Sequence, residues 1–419
     1  MKKLFLFALF AALCCSCTES NTDENTDPNG GSNSGQTTPP DPDSDAKDVI
    51  HVPKGGMLAG ILNELGLTEP SSLKLSGTLG VSDFTTLRNI QSLEHLDISR
   101  VNLSVLPTEA FLECTNIKSV ILPNTLTAIG TQAFCHSSLV SISIPASVET
   151  IEGGAFFRCT ALQTVTFEKG SKLKTIKNGS GWSGVFESCT SLTSIEIPAS
   201  VETIGYDAFQ GCSSLKTVTF EKGSKLKTVE TNVFFYCTSL TSIEIPASVE
   251  EIERYAFSGC TSLQTVTFEK GSKLKTIGNF AFTNCTSLTT IEIPASVETI
   301  RGGAFSDCTS LKTVTFEKGS QLLTVDGYYN YGAFSDCTAL TTVDMSACTQ
   351  VTEIGYRAFY EDSKLQLFKI GTRTPPSCEG SAFWGINSYS VLKVPAGCVD
   401  AYKKAKGWNE FTTISELDE

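Results

Sequence analysis

Histidine is scarce in this chain of 419 residues, which contains only His51, His95 and His136. None of the three has a partner at the spacing of a metal site. General acid–base catalysis and cysteine–histidine catalysis both depend on such constellations. The sequence therefore predicts no catalytic residues, no metal site and no cofactor, and we do not expect an enzyme.

Positive charge is also in short supply. The chain has 32 Lys and Arg residues against 45 Asp and Glu residues, which gives a net charge of -13. A protein that binds duplex nucleic acid must neutralise phosphates with lysine and arginine. Nucleic acid is therefore excluded as a partner, and the acidic balance is typical of a soluble surface.

The N-terminus has the pattern of a lipoprotein signal. Two lysines precede an apolar run at residues 4–13 that is too short to span a bilayer. Ser16, a small residue, comes directly before Cys17. We predict a signal peptide over residues 1–16 and lipidation of Cys17, with Cys15 as the second candidate and an ordinary secretory signal as the alternative. Acyl chains on Cys17 would anchor the protein to a membrane.

The segment that follows, within residues 17–47, is rich in Thr, Asn, Asp, Gly, Ser and Pro and has no apolar periodicity. Such a composition cannot bury a core. We predict that it is a disordered tether between the lipidated cysteine and the folded region.

The remainder of the chain repeats one sequence unit. An Ala-Phe pair, or a close variant of it, recurs at spacings mainly alternating between 23 and 25 residues, and a period in this range is typical of a solenoid in which each coil packs only on its neighbours. The repeated phenylalanines are Phe111, Phe134, Phe156, Phe186, Phe209, Phe234, Phe257, Phe282, Phe305, Phe334, Phe359 and Phe383.

The unit that begins at Leu240 predicts the structure of one coil. Ile243 and Ile245 alternate with polar residues, the mark of a strand with one buried face. Pro246 ends the strand because proline cannot donate a hydrogen bond to a ladder. We predict one parallel strand per coil, about 14 coils, and return segments that are mostly irregular or short helices.

Two coil types alternate along the repeats. The short coils carry the sequence I-P-A-S-V-E, at 197–202, 245–250 and 293–298. The long coils carry F-E-K-G-S-K/Q-L, at 220–226, 268–274 and 316–322. The Lys-Gly-Ser tip of the long coil predicts a turn in which glycine takes a positive φ.

Cysteine recurs three residues after the repeated phenylalanine. One such position per coil predicts an inward-facing ladder of thiols that act as small apolar side chains. Thirteen cysteines follow the signal region, an odd number, and side chains stacked in register suit the disulfide dihedral poorly. The ladder is interrupted at the Phe134 coil and at Asp362. Its members are Cys114, Cys159, Cys189, Cys212, Cys237, Cys260, Cys285, Cys308 and Cys337.

The full pattern, C-x-x-L-x-x-I-x-I-P-x-S-V-x-x-I-x-x-x-A-F, resembles the BspA-type (Treponema pallidum class) leucine-rich repeat of surface lipoproteins. The resemblance implies a leucine-rich repeat solenoid with an N-terminal cap and first coils at 48–108, repeats at 109–390 and a C-terminal cap at 391–419. It also implies adhesion, or binding to extracellular matrix and plasma proteins. The family has no shared catalytic residues, so the resemblance assigns none here.

Polar residues at the middle of the strands form a first candidate binding surface. They lie on the face opposite the core, where a solenoid commonly binds its ligands, although a merely solvated face has the same pattern. These residues are Glu196, Glu244 and Glu292 on the short coils and Thr219, Thr267 and Thr315 on the long coils.

Two insertions before a repeated phenylalanine form a second candidate surface. Residues 177–185 include Trp182, and residues 326–332 include Tyr328, Tyr329 and Tyr331. Aromatic side chains offer large, rigid contact areas for recognition. The alternative is that these rings fold back and fill a gap over the coil.

These observations favour a lipid-anchored protein of the outer membrane, exposed at the cell surface, that acts as an adhesin or scaffold for extracellular or host proteins. The alternatives are a glycan-binding lipoprotein for nutrient capture and a spacer without a specific ligand.

Overall fold

The computed structural model describes residues 48–178 and 183–418, which lie in one compact unit. Cys17, the predicted signal peptide, the predicted tether and Trp182 lie outside the described residues. Within the described ranges, the helices are too short or too polar to cross a membrane.

The predicted solenoid is confirmed. Each coil contributes one strand, and at all but one junction of the described residues this strand pairs in parallel with the strand of the next coil. We call this series the main ladder. Its strands are Ile50–Val52, Ser72–Gly77, His95–Val101, Ser119–Ile121, Ser141–Ile144, Thr164–Phe167, Ser194–Ile197, Thr217–Phe220, Ser242–Ile245, Thr265–Phe268, Thr290–Ile293, Thr313–Phe316, Thr342–Met345, Leu367–Ile370, Val391–Val394 and Thr413–Glu416.

The structure adds a second, shorter ladder to the predicted strand. On the return path of most coils, a two-residue strand forms, most often from threonine followed by a buried apolar residue. We call this series the return ladder. Its strands are Val105–Leu106, Ala128–Ile129, Thr150–Ile151, Thr175–Ile176, Thr203–Ile204, Thr228–Val229, Glu251–Ile252, Thr276–Ile277, Thr299–Ile300, Thr324–Val325, Glu353–Ile354 and Ser377–Cys378.

Helices occur only near the two ends of the described unit, at Leu58–Glu64, Val81–Asn89 and Val399–Lys404, with a 3₁₀ turn at Trp408–Glu410. At the first end, the buried carboxylate of Asp83 accepts hydrogen bonds from the backbone amides of Gly56, Leu58 and Gly80. This satisfies donors that the start of a helix leaves unpaired.

At the other end, Tyr402, Trp408 and Phe411 are buried against the last coils. The Tyr402 hydroxyl donates to the carbonyl of Thr372 at 2.8 Å, and the indole of Trp408 donates to the carbonyl of Pro376 at 2.9 Å. These aromatic side chains therefore bury apolar area without leaving their polar atoms unpaired.

The repeated phenylalanines stack along the core. Phe257 and Phe282 lie 5.0 Å apart between ring centroids with an interplanar angle of 3°, and Phe234 and Phe257 lie 5.3 Å apart at 15°. The backbone holds the same register, since the amide of Phe234 donates to the carbonyl of Ala256 at 2.8 Å. One phenylalanine per coil thus forms a continuous apolar stack through the coils that carry the repeat.

The predicted inward-facing cysteine ladder is confirmed, and the thiols do more than fill space. Each ladder thiol from Cys159 to Cys337 donates a hydrogen bond to a phenylalanine carbonyl of the preceding coil, as Cys260 does to Phe234 at 3.2 Å. Burial raises the pKa of Cys260 to about 12. The thiolate is the reactive form, so these cysteines are chemically inert in the folded protein.

Each regular coil turns its corner through two left-handed positions, two residues before and two residues after the repeated phenylalanine. Asn232 and Asn284 occupy such positions, with φ values of 59° and 58°. Glycine, asparagine and aspartate adopt this conformation at the lowest cost. The same positions matter below, because three of them carry aromatic residues.

Candidate binding surfaces

The predicted glutamate–threonine stripe lies on the outward face of the main ladder. Its members pair across neighbouring coils, because Glu196 is the register partner of Thr219, Glu244 that of Thr267 and Glu292 that of Thr315. Thr315 is half-buried and the other five are exposed. The structure thus brings the six residues into one row of three adjacent pairs.

Between Ser141 and Phe316 the coils are joined two by two. A short coil and the long coil after it pair over four residues, as Ser194–Ile197 does with Thr217–Phe220. A side chain strengthens the junction, because the carboxylate of Glu221 accepts a hydrogen bond from the amide of Ala199 at 2.9 Å. Glu269 and Ala247 form the same bond at 2.9 Å in the next pair. We call each such pair of coils a doublet.

The junction between one doublet and the next is looser, and we call it a seam. Thr217–Phe220 pairs with Ser242–Ile245 at only one position, Thr217 with Ser242. The amide of Thr241 lies 3.4 Å from the carbonyl of Lys216, whereas the amide of Lys216 lies 2.8 Å from the carbonyl of Thr193 within a doublet. The main ladder divides into two sheets at the third seam, between Thr265–Phe268 and Thr290–Ile293.

Proline accounts for part of this difference. In a doublet the amide of Glu221 donates to the carbonyl of Ile197 at 2.9 Å. The equivalent donor across the seam would be the amide of Pro246, which has no hydrogen. The strand ends therefore separate at the side of the seam where Phe220 and Pro246 lie.

Grooves open on the sheet face at two of these seams. The larger, of about 420 Å³, is bordered by Thr219 and Glu244, with Phe220 and Pro246 at the strand ends. Its outer wall comes from the long-coil turns, through Glu221, Lys222, Ser224 and Glu269. The seam before it has a groove of about 250 Å³ with equivalent residues, among them Thr166, Glu196, Phe167 and Pro198.

After the third seam, the next junction between a long coil and the coil that follows it has no proline. Thr313–Phe316 is followed by Thr342–Met345, where Ser346 takes the place of the proline. These strands pair over three residues, and the amide of Thr341 lies 2.9 Å from the carbonyl of Lys312. Phe316 is only 7% exposed, whereas Phe167, Phe220 and Phe268 are half-buried. The closed junction buries the phenylalanine that the seams leave accessible.

The second insertion forms a small hairpin, in which Gly327–Tyr328 pairs antiparallel with Tyr331–Gly332. It packs on the coil before it, where a Cβ atom on Gly302 would come within 2.2 Å of the Tyr328 amide. Tyr328 is half-buried, whereas Tyr329 at the tip is 79% exposed. One ring of the hairpin therefore covers the coil and another projects from it.

Aromatic side chains continue from this hairpin across neighbouring coils. Phe280 contacts Tyr331 with ring centroids 5.2 Å apart, Tyr255 stacks on Phe280 at 5.1 Å, and Phe235 lies between Tyr255 and Tyr236. We call the set Phe235, Tyr236, Tyr255, Phe280, Tyr328, Tyr329 and Tyr331 the aromatic surface.

An arginine lies over the middle of the aromatic surface. The guanidinium carbon of Arg254 is 4.7 Å from the ring centroid of Tyr255, 5.8 Å from that of Phe280 and 5.7 Å from that of Tyr328. Guanidinium groups at such distances are attracted to the ring faces. The contact orients Arg254 so that a cation lies within an exposed aromatic patch.

Three members of the aromatic surface occupy left-handed corner positions. Tyr236, Tyr255 and Phe280 have φ values of 55°, 57° and 58°. A bulky side chain there costs about 1–2 kcal/mol, and such strain tends to occur at functional sites. Other coils place Gly211, Gly259 or Asn284 at the position of Tyr236. Packing of the coil therefore does not require a ring at this position.

Sequence reasoning missed the long-range aromatic surface, but one signal for the hairpin was present. The coil before each insertion carries a Gly-Gly pair ahead of its phenylalanine, Gly153 and Gly154 in one case and Gly302 and Gly303 in the other. A Cβ on Gly302 would come within 2.2 Å of the Tyr328 amide of the hairpin, and one on Gly154 within 3.0 Å of the Ser183 hydroxyl. The glycine pairs thus leave room for what lies over them.

A model of the BspA type leucine rich repeat region matches the chain in six copies, over residues 83–180, 182–312, 227–365 and 275–405. The chain belongs to this family. Among solved structures it is similar to a leucine-rich repeat protein of Bacteroides ovatus, with 25% identity and a TM-score of 0.46 over 76% of this chain and 88% of that chain.

Two further similarities have lower scores. A leucine rich cell surface protein of Faecalibacterium prausnitzii has 23% identity and a TM-score of 0.40 over 76% of this chain and 84% of that chain. The pneumococcal vaccine antigen PcpA has 21% identity and a TM-score of 0.40 over 84% and 80% of the two chains. No curated protein matches the chain.

Proposed function

We propose that this BspA-type protein is a non-catalytic, lipid-anchored scaffold on the outer face of the outer membrane that binds an extracellular or host protein, of matrix or plasma type. The observation that carries the proposal is the aromatic surface. Tyr329, Tyr236 and Tyr331 are 79%, 55% and 47% exposed there, next to Arg254.

The chemistry of this surface fits protein recognition. Tyrosine and arginine are enriched among the residues that dominate binding energy at protein interfaces. The rings are already held by their neighbours, since Tyr255 stacks on Phe280 and Tyr328 packs on Gly302. Rigid side chains lose little conformational freedom on binding. Trp182, on the first insertion, belongs to the proposed contact set.

The anchor is a separate part of the proposal. Lipidation at Cys17, followed by a tether over residues 17–47, would attach the solenoid to the membrane at one end and leave its surfaces free for a partner. The signal pattern of residues 1–16 supports export from the cytoplasm.

The test is binding of the chain from Asp48 onwards to an array of matrix and plasma proteins. We expect saturable binding that falls about tenfold or more in a Tyr329→Ala, Tyr331→Ala double variant. Tyr389→Ala is the matched control, because Tyr389 is 85% exposed but lies outside the aromatic surface. Equal loss in the control, or no binding to any protein, would contradict the proposal.

A further inference from the structure

The seam grooves have an apolar side and a polar side. In the larger groove Phe220 and Pro246 contribute the apolar surface, and Thr219 and Glu244 contribute a hydroxyl and a carboxylate. Sugars have the same division, with C–H faces and hydroxyl edges. Its volume of about 420 Å³ lies in the range of small-molecule sites.

The charge of the groove restricts the ligand. The carboxylates of Glu221, Glu244 and Glu269 line it against the single ammonium of Lys222. The carboxylates of Glu221 and Glu269 also accept hydrogen bonds from the amides of Ala199 and Ala247. An anionic chain would be repelled, and an uncharged one can accept and donate hydrogen bonds freely.

The seams recur at a constant interval. Thr166 and Glu196 flank the first, Thr219 and Glu244 the second, and Thr267 and Glu292 the third. Neighbouring seams are two coils apart, which at ordinary strand spacing is about 9.6 Å. Two sugars in an extended β-1,4-linked chain advance by a similar distance, so one chain across the strands would present equivalent groups to successive seams.

We propose that the seams are consecutive subsites for a linear, uncharged, β-1,4-linked glycan whose chain runs across the strands, with two sugars for each seam. Thr166, Thr219 and Thr267 and the facing glutamates would hydrogen-bond its hydroxyl groups. Phe167, Phe220 and Phe268 would contact its C–H faces. This function goes beyond the proposed protein binding and uses a different part of each coil.

An extended peptide fits the grooves less well. Peptides that add to a sheet bind along an edge strand, where backbone groups are unpaired. The grooves instead lie on the face of the sheet, where Thr219 and Glu244 offer side chains. Glycan recognition by hydroxyl and carboxylate groups needs no free backbone edge.

The test is calorimetric titration of the full chain in detergent with β-1,4-linked glucose oligomers and β-1,4-linked N-acetylglucosamine oligomers of two, four and six sugars. We expect at least one series to bind, with affinity rising about fivefold or more at each step as a further seam is occupied. Binding that does not increase with length would overturn the proposed row of subsites.

Two lysine variants test the location. Thr219→Lys places a long cation in an open seam, whereas Tyr389→Lys places one at an exposed position outside both ladders. We expect Thr219→Lys to reduce hexasaccharide affinity about tenfold and Tyr389→Lys to leave it unchanged. Thermal unfolding of both variants checks that the fold is kept.

Three results would overturn the inference. The first is that neither glycan series binds, and the second is that the two lysine variants have the same hexasaccharide affinity. The third is that an extended peptide binds in the grooves and the glycans do not. Tyr329→Ala separates this site from the proposed protein-binding surface, since it should leave glycan affinity unchanged. Loss of glycan binding in that variant would also contradict the assignment to the seams.

Discussion

The ring of Phe280 occupies the space that a side chain on Gly303, in the next coil, would need. A Cβ atom on Gly303 would lie 2.4 Å from two ring carbons of Phe280, closer than real contacts allow. The hairpin of the second insertion meets the same ring, because Tyr331 packs against Phe280 with centroids 5.2 Å apart. The small residue in one coil thus sets the position of the aromatic surface in its neighbours.

Replacement of Gly303 by alanine should therefore displace Phe280 and destabilise the protein. Gly303 has a φ of 69°, which adds backbone strain to the steric clash. We expect the free energy of unfolding to fall by about 2–4 kcal/mol. Urea denaturation measures the change.

Gly271→Ala is the control, because Gly271 has a φ of 81° and open space around it. This variant should show the cost of strain alone, about 1 kcal/mol. Equal losses in the two variants would show that Phe280 does not depend on the space at Gly303.

Tyr236→Asn should separate binding from folding. Asparagine suits the left-handed backbone of residue 236, as Asn284 shows at the equivalent position. Relief of strain offsets the lost ring contacts, so we expect the free energy of unfolding to stay level or rise by about 0.5 kcal/mol. Partner affinity should fall, because Tyr236 is an exposed member of the aromatic surface.

Chemical denaturation and binding assays on the same Tyr236→Asn preparation check this prediction. A marked loss of stability would mean that Tyr236 supports the coil rather than recognition. Unchanged affinity for a partner that depends on Tyr329 would remove Tyr236 from the contact set.

Asp362 takes a ladder position that cysteine fills in most coils, and its pH dependence should be measurable. One carboxylate oxygen accepts a hydrogen bond from the Cys337 amide at 2.9 Å, and within the described residues the other is buried without a partner. Burial raises the pKa of Asp362 well above its ordinary value. The protonated form is therefore favoured in the folded state.

The direction in which stability changes with pH follows from this raised pKa. Stability from neutral Asp362 is fully present below the pKa of the unfolded chain, near 3.9, and is lost as the pH rises through the raised folded pKa. Asp362→Asn keeps an acceptor for Cys337 and removes the charge. At pH 8 the variant should gain about 1–3 kcal/mol over the natural protein, with little difference at pH 4.

Urea denaturation at both pH values tests the Asp362 prediction. Glu196→Gln, at an exposed position, is the control and should show no such difference between the two pH values. A constant effect of Asp362→Asn at pH 4 and pH 8 would contradict burial of a neutral carboxyl group.

Local sequence predicted the parts of the fold that depend on a single coil. The alternation around Ile243 and Ile245, the proline after them and the cysteine before them all indicate the inward and outward faces of one strand. Because each coil packs mainly on its neighbours, repetition of these local rules is enough to predict the solenoid. The return ladder escaped prediction, because two-residue strands leave no periodicity to detect.

The candidate sites depended on relations that a single coil does not contain. The positions of Glu244 and Thr219 on the outward face follow from the sequence, but the looser pairing between their strands does not. That seam arises when a long coil meets a following coil with a proline, as the closed junction at Phe316 shows by contrast.

What the sequence by itself determined is the repeat, the orientation of Phe257, Cys260 and Ile243 towards the core, and membership of the BspA-type family. Tertiary structure alone decided which exposed residues meet. Tyr236 and Tyr331 are 95 positions apart by number, and they join one aromatic surface because the coils stack in register. The physical reason is that burial acts within each coil, whereas surface contacts depend on the packing between coils.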